Sequence, residues 1–112
     1  MFFNYDLRMI TKPAPIALFC FKRLNHLILT VNSLKANKLS NESCLYFFSD
    51  APKKFEDVSD VQRVREYLRT ITGFSKISII ERKYNLGLSQ SIIFGVSEVL
   101  QTHEKVIVIE DD

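Results

Sequence analysis

Three carboxylates in a row, Glu110, Asp111 and Asp112, follow directly on the apolar run Val106-Ile107-Val108-Ile109. Four β-branched apolar residues read as a buried strand, too short for a helix. Crowded like charges raise one another's pKa or call for a cation. Oxygen-only ligands suit a hard divalent cation. In open α/β sheets, ligands bind outside the carboxyl ends of the strands. The sequence thus delivers an acidic cluster to the place where such a sheet does chemistry.

Other residues carry weaker signals. Asp50 closes the apolar run Cys44-Leu45-Tyr46-Phe47-Phe48-Ser49 and precedes Ala51-Pro52. It suits a ligand contact, since a carboxylate accepts hydrogen bonds from a base or ribose, and it suits a turn equally well. Lys22 and Arg23 follow another apolar run, where they would meet phosphate or simply begin a solvated helix. Asn85-Leu86-Gly87 opens a helical pattern and could cradle an anion. It is neither a G-x-x-x-x-G-K-[ST] loop nor a G-x-G-x-x-G turn, and an ordinary turn explains it too. His26 and His103 have no partner at metal-ligand spacing and read as surface or boundary residues. Glu42, Asp57 and Asp60 read as solvated or capping acids.

Alternating elements must position these residues. Strands are expected at 15–21, 44–49, 77–80 and 106–109. Between them run three helical stripes. The first holds Leu24, Leu27, Ile28, Val31 and Leu34, with Asn25 as N-cap, Leu24 and Leu29 as a hydrophobic staple and Asn37 as a left-handed stop. The second holds Val58, Val61, Val64, Leu68 and Ile71, with Arg63, Arg65, Glu66 and Arg69 off the stripe and Gly73 at C′. The third holds Ile92, Val96, Val99 and Leu100, with Ser89 as N-cap. Gly95 inside it marks a close approach to a neighbour. The order βαβαβαβ with buried strands predicts a parallel sheet with helices on both faces, a three-layer Rossmann-like α/β fold.

Composition narrows the class. The chain has 112 residues, 46% hydrophobic and 25% charged, as in ordinary globular proteins. One domain or part of one is expected, with 1–14 as an N-terminal extension. A net charge of +2 with scattered basic residues gives no argument for a nucleic-acid partner. No apolar stretch has the length of a membrane span, and the N-terminus lacks a signal-peptide pattern. Cys20 and Cys44 sit inside apolar runs. On adjacent parallel strands they would be offset by ~13 Å, beyond the roughly 7 Å that a disulfide bridges. Two free thiols in a reducing, cytoplasmic setting are expected.

From Ile80 to Asp112, the string Ile-Glu-Arg-Lys-Tyr-Asn-Leu-Gly-Leu-Ser-Gln-Ser-Ile through Val-Ile-Val-Ile-Glu-Asp-Asp resembles the nucleotide-diphosphate-sugar glycosyltransferases of the glycosyltransferase-A fold. More narrowly, it resembles the family-2-like bacterial sugar transferases. Phe21-Lys22-Arg23 and Leu45 to Asp50 match the same proteins. The resemblance implies the strand order 3-2-1-4 and a transferase that binds a nucleotide-diphosphate sugar, such as a UDP-sugar, with Mn2+ or Mg2+. Glu110-Asp111-Asp112 would be its D-x-D motif. Asp112 would ligate the metal, and Glu110 and Asp111 would lie near the ribose and the metal-bound waters. Asp50 would contact the nucleobase. Phe21 and Arg23 would lie under base and ribose, with Asn85 in the matching Asn-Leu-Gly segment.

Family members continue well beyond this point. The resemblance therefore implies a truncated fold, the nucleotide-binding half, inactive alone. A glycan or lipid-linked acceptor would be held by the other half. No catalytic base can be assigned. The full-length protein would be cytoplasmic, peripheral to the inner face of the membrane. The fourth strand would be left as an apolar edge, suited to a homodimer. The competing readings are a flavodoxin- or receiver-like regulatory module and a self-associating α/β module. The receiver reading is disfavoured because the first strand ends in Phe21-Lys22-Arg23 instead of acids.

Overall fold

The computed structural model describes residues 13–111. Four strands alternate with three helices: β1 (Ile16–Cys20), α1 (Leu24–Lys35), β2 (Cys44–Ser49), α2 (Val58–Leu68), β3 (Lys76–Glu81), α3 (Leu88–Leu100) and β4 (Ile107–Glu110). Short 3-10 turns at Ser40–Glu42 and Phe55–Asp57 precede β2 and α2. The sheet is entirely parallel, in the order β3-β2-β1-β4. This is the expected Rossmann-like α/β arrangement.

The continuous apolar runs of β1 and β2 are explained by burial on both faces. All five β1 residues are buried. On one face Leu18, Leu45 and Phe47 pack against Leu27 and Val31 of α1 and Val64 and Leu68 of α2. On the other, Ala17, Phe19 and Phe48 pack against Val99 of α3. The rings of Phe19 and Phe48 stack with centroids 5.0 Å apart. Gly95 lies directly over them: a Cβ built on it would come within 2.6 Å of the Phe19 ring and 3.2 Å of the Phe48 ring. The close approach expected at Gly95 is present.

The helix ends differ from expectation. α1 starts at Leu24 with Arg23, two residues before Asn25, at the N-cap position. The Leu24–Leu29 staple does not form, and Leu29 is exposed. Asn37 is not left-handed, since no non-glycine described residue has positive φ. Its Oδ1 instead accepts from the Leu39 amide at 2.9 Å, a local turn that competes with the helix. α3 is capped by Gly87, at φ 79, so Ser89 falls inside its first turn. Gly73 is left-handed at φ 97 but lies beyond the Arg69 C-cap, in the connection to β3.

Parallel register sets Cys20 opposite Ser49, at the far end of β2 from Cys44. Both cysteines are free. β4 forms one edge of the sheet, with Ile107 and Val108 exposed. Among the described residues no helix is long and apolar enough to cross a membrane. The expected extension falls mostly on residues 1–12, which lie outside the described residues, as does Asp112.

Candidate functional site

The ends of all four strands converge on one rim, as parallel strands require. A cleft of about 200 Å³ opens there. Phe21 follows β1, Asp50 follows β2, Asn85 follows β3 and Asp111 follows β4, and all four line it. The structure thus gathers four of the residues singled out from the sequence.

Asp50 is buried, and the loop before α3 is built on its carboxylate. Oδ1 accepts from the amides of Ala51 and Leu86, both at 2.9 Å. Oδ2 accepts from the Gly87 amide at 2.9 Å and from Asn85 Nδ2 at 3.3 Å. Asn85 also donates to the Ala51 carbonyl at 2.8 Å. A carboxylate offers about four acceptor positions, so Asp50 is spent on holding the loop. Asn85 is oriented by the same contacts. Beside the local turn bond to Ala51, Asp50 thus takes on a loop-holding part that its position in the sequence did not show.

Asp111 is buried at the mouth of the fourth strand, its amide donating to the Phe19 carbonyl at 3.3 Å. Glu110 is exposed and stands opposite Phe19 in the register, away from the cleft lining. Arg23 also stays outside. It lies at the start of α1 in a separate depression with Lys22, His26 and Arg63, its Nη2 2.7 Å from His26 Nε2.

Beneath the rim runs a cation that the helical stripe did not reveal. Arg65 reaches from α2, donating Nε to Ser49 Oγ at 3.0 Å. Its Nη2 donates to the carbonyls of Ser49, Asp50 and Arg82 at 3.2, 3.2 and 2.8 Å. It gathers the strand-end carbonyls of β2 and β3 under one positive charge. The available signal was position: Arg65 is four residues after Val61, beside the buried stripe.

Cys20 also lines the cleft, with its thiolate disfavoured. Burial pushes its thiol pKa far up, and the charge of Asp111 pushes it further. The thiolate is the reactive form, and this setting works against it.

The pair Lys22–Asp57 braces the turn after β2. Lys22 Nζ lies 2.9 Å from the buried Asp57 Oδ1. Asp57 Oδ2 accepts from the amides of Lys53 and Lys54 at 3.2 Å. The Lys22 hydrogen bond holds the Asp57 carboxyl below its usual range, and the same bond raises Lys22. A lowered acid stabilises above its ordinary pKa and loses that contribution as pH falls through the folded value. A raised lysine stabilises below its ordinary pKa and loses the contribution as pH rises through the folded value. Asp57→Asn is expected to be less stable than wild type at neutral pH. The two urea midpoints should converge in acid, below the usual carboxylate range. A constant gap down to strong acid would remove Asp57 as the source.

Among the described residues no group of three or more His, Cys, Asp or Glu side chains is gathered to hold a metal ion. Asp111 supplies one buried carboxylate at the rim. Asp112, the expected metal ligand, lies outside the described residues. Beside the one carboxylate of Asp111, Mn2+ or Mg2+ would need further oxygen ligands from substrate phosphates and water.

No family model, curated protein or solved structure matches this chain.

Proposed function

We propose that this chain binds a nucleotide-diphosphate sugar, with a divalent cation, as the donor site of a glycosyltransferase. One observation carries the reading: Phe21, Asp50, Asn85 and Asp111, picked out by sequence, line a single cleft at the carboxyl rim of a 3-2-1-4 parallel sheet. Ligands of open α/β sheets bind at that rim. The apolar wall offered by Phe19, Phe21 and Leu88 suits a planar ring. Asp112 would ligate Mn2+ or Mg2+, with Asp111 beside the ribose and the metal-bound waters. The ion would supply Lewis-acid neutralisation of the leaving diphosphate. The protein's own part is to orient the nucleotide, and no described residue is assigned as the base that activates an acceptor. A UDP-sugar donor, a glycan or lipid-linked acceptor, and a cytoplasmic site at the inner face of the membrane belong to the same reading.

Calorimetric titration with UDP tests it. Binding is expected with Mn2+, lost on adding EDTA, and weakened at least tenfold in Asp111→Ala or Asp112→Ala. UDP affinity that is indifferent to metal and to both substitutions would count against this site.

A further inference from the structure

Ser91 is a buried group of the cleft wall that no interaction described so far uses. It is 4% exposed, and its Oγ has no hydrogen-bond partner. It lies one turn into α3, where its amide donates to the Gly87 carbonyl at 2.9 Å. A helical serine ordinarily turns its hydroxyl back to the carbonyl four residues before it. Ser97 does so to Ile93 at 2.8 Å, and Thr30 to His26 at 3.0 Å. Ser91 does not, although the Gly87 carbonyl is within the same turn. A buried hydroxyl left unsatisfied costs stability, and a native structure that keeps one calls for an explanation.

The cleft tells which group would satisfy it. Two buried carboxylates, Asp50 and Asp111, line the cavity that Ser91 lines. Asp50 is already engaged by the loop donors, and Lys53 lines the cleft beside the two acids. Phe19 and Phe21 give it an apolar side. A ring with hydroxyl or carbonyl groups suits that apolar side and gives the Ser91 hydroxyl a partner. We infer that Ser91 hydrogen-bonds the nucleoside part of the ligand, leaving the diphosphate outside at the rim. The inference rests on the nucleotide-sugar reading and adds to it a residue that contacts the ligand. Small movement of the side chain suffices, because serine has a single rotor between hydroxyl and backbone.

The test uses the whole chain, wild type and Ser91→Ala. Uridine is titrated by NMR, and UDP with Mn2+ by calorimetry. Loss of one hydrogen bond corresponds to about 3–10-fold in affinity. Ser91→Ala is expected to weaken both uridine and UDP by that factor, with a thermal midpoint equal to or above wild type. Pyrophosphate with Mn2+ should bind both proteins alike. Unchanged uridine and UDP affinity in Ser91→Ala overturns the inference and leaves the nucleotide reading standing. A lowered midpoint in Ser91→Ala also overturns it, since the hydroxyl would then be serving the fold. Failure of the wild type to bind either uridine or UDP overturns the nucleotide reading, and this inference with it.

Discussion

Asp50→Ala is expected to lower folding stability by about 2–4 kcal/mol, the range for stranding several donors of a charged acceptor. Three backbone amides, Ala51, Leu86 and Gly87, lose their acceptor together with the Asn85 side chain. The loss should be local before it is global. Amide hydrogen exchange at Leu86 and Gly87 is expected to approach that of open chain, while β1 and β2 stay protected. Asp50→Asn is a sharper probe. It keeps size but presents a donor where one oxygen stood, so one side of the clamp faces donors with a donor. An alanine variant whose loop amides exchange as slowly as wild type would show that the loop is held by other means.

The second large effect is expected at Gly95. Alanine at a helix interior normally gains about 1 kcal/mol over glycine. Here the added methyl would overlap the Phe19 ring, itself pinned by the stack on Phe48. Overpacking of a filled core costs about 1–3 kcal/mol, so Gly95→Ala is expected to be destabilising by up to about 2 kcal/mol net. Gly95→Val should cost more. Urea unfolding measures both. Adding Phe19→Leu to Gly95→Ala should recover part of the loss, because the two positions share one contact and their effects are not additive. A Gly95→Ala protein as stable as wild type would mean that α3 can lift off the sheet freely.

β1 and β2 were legible because burial on both faces leaves an unbroken apolar run, whereas the equally apolar run of β4, read as buried, lies at the sheet edge with Ile107 and Val108 exposed. Gly95 was legible for a related reason: a glycine inside a helical stripe needs a cause, and contact supplies one. The helix starts were less so. Asn25 and Ser89 have the chemistry of N-caps, but Arg23 and Gly87 hold those positions. Gly87 can take a positive φ that Ser89 would resist. The site was half legible. Strand ends could be listed, but the partners of Asp50 lie 35 to 37 residues away along the chain, and no spacing rule connects them. The acid triplet looked like one unit. On a strand, successive side chains point to opposite faces, and Glu110 and Asp111 accordingly part company, one exposed and one buried. Arg65 carried only the signal of its position, and Ser91 carried none. One is a charged residue beside a stripe, and the other a small polar residue within a helix.

The two thiols divide the molecule in a way that can be timed. Cys44 is partly open at the entry of β2, whereas Cys20 is sealed in the central strand and lines the cleft. A thiol reagent therefore reads two clocks in one chain. Cys44 reacts from the native state, at a rate set by its own reactivity. Cys20 reacts when the strand end opens, so its rate is the opening equilibrium multiplied by the rate for an exposed thiol. Any molecule seated in the cleft lies against Cys20 and slows that second clock while leaving the first unchanged. Occupancy of the cleft is thus written into the ratio of two sulfur reactions, and an unlabelled ligand can be followed without being seen.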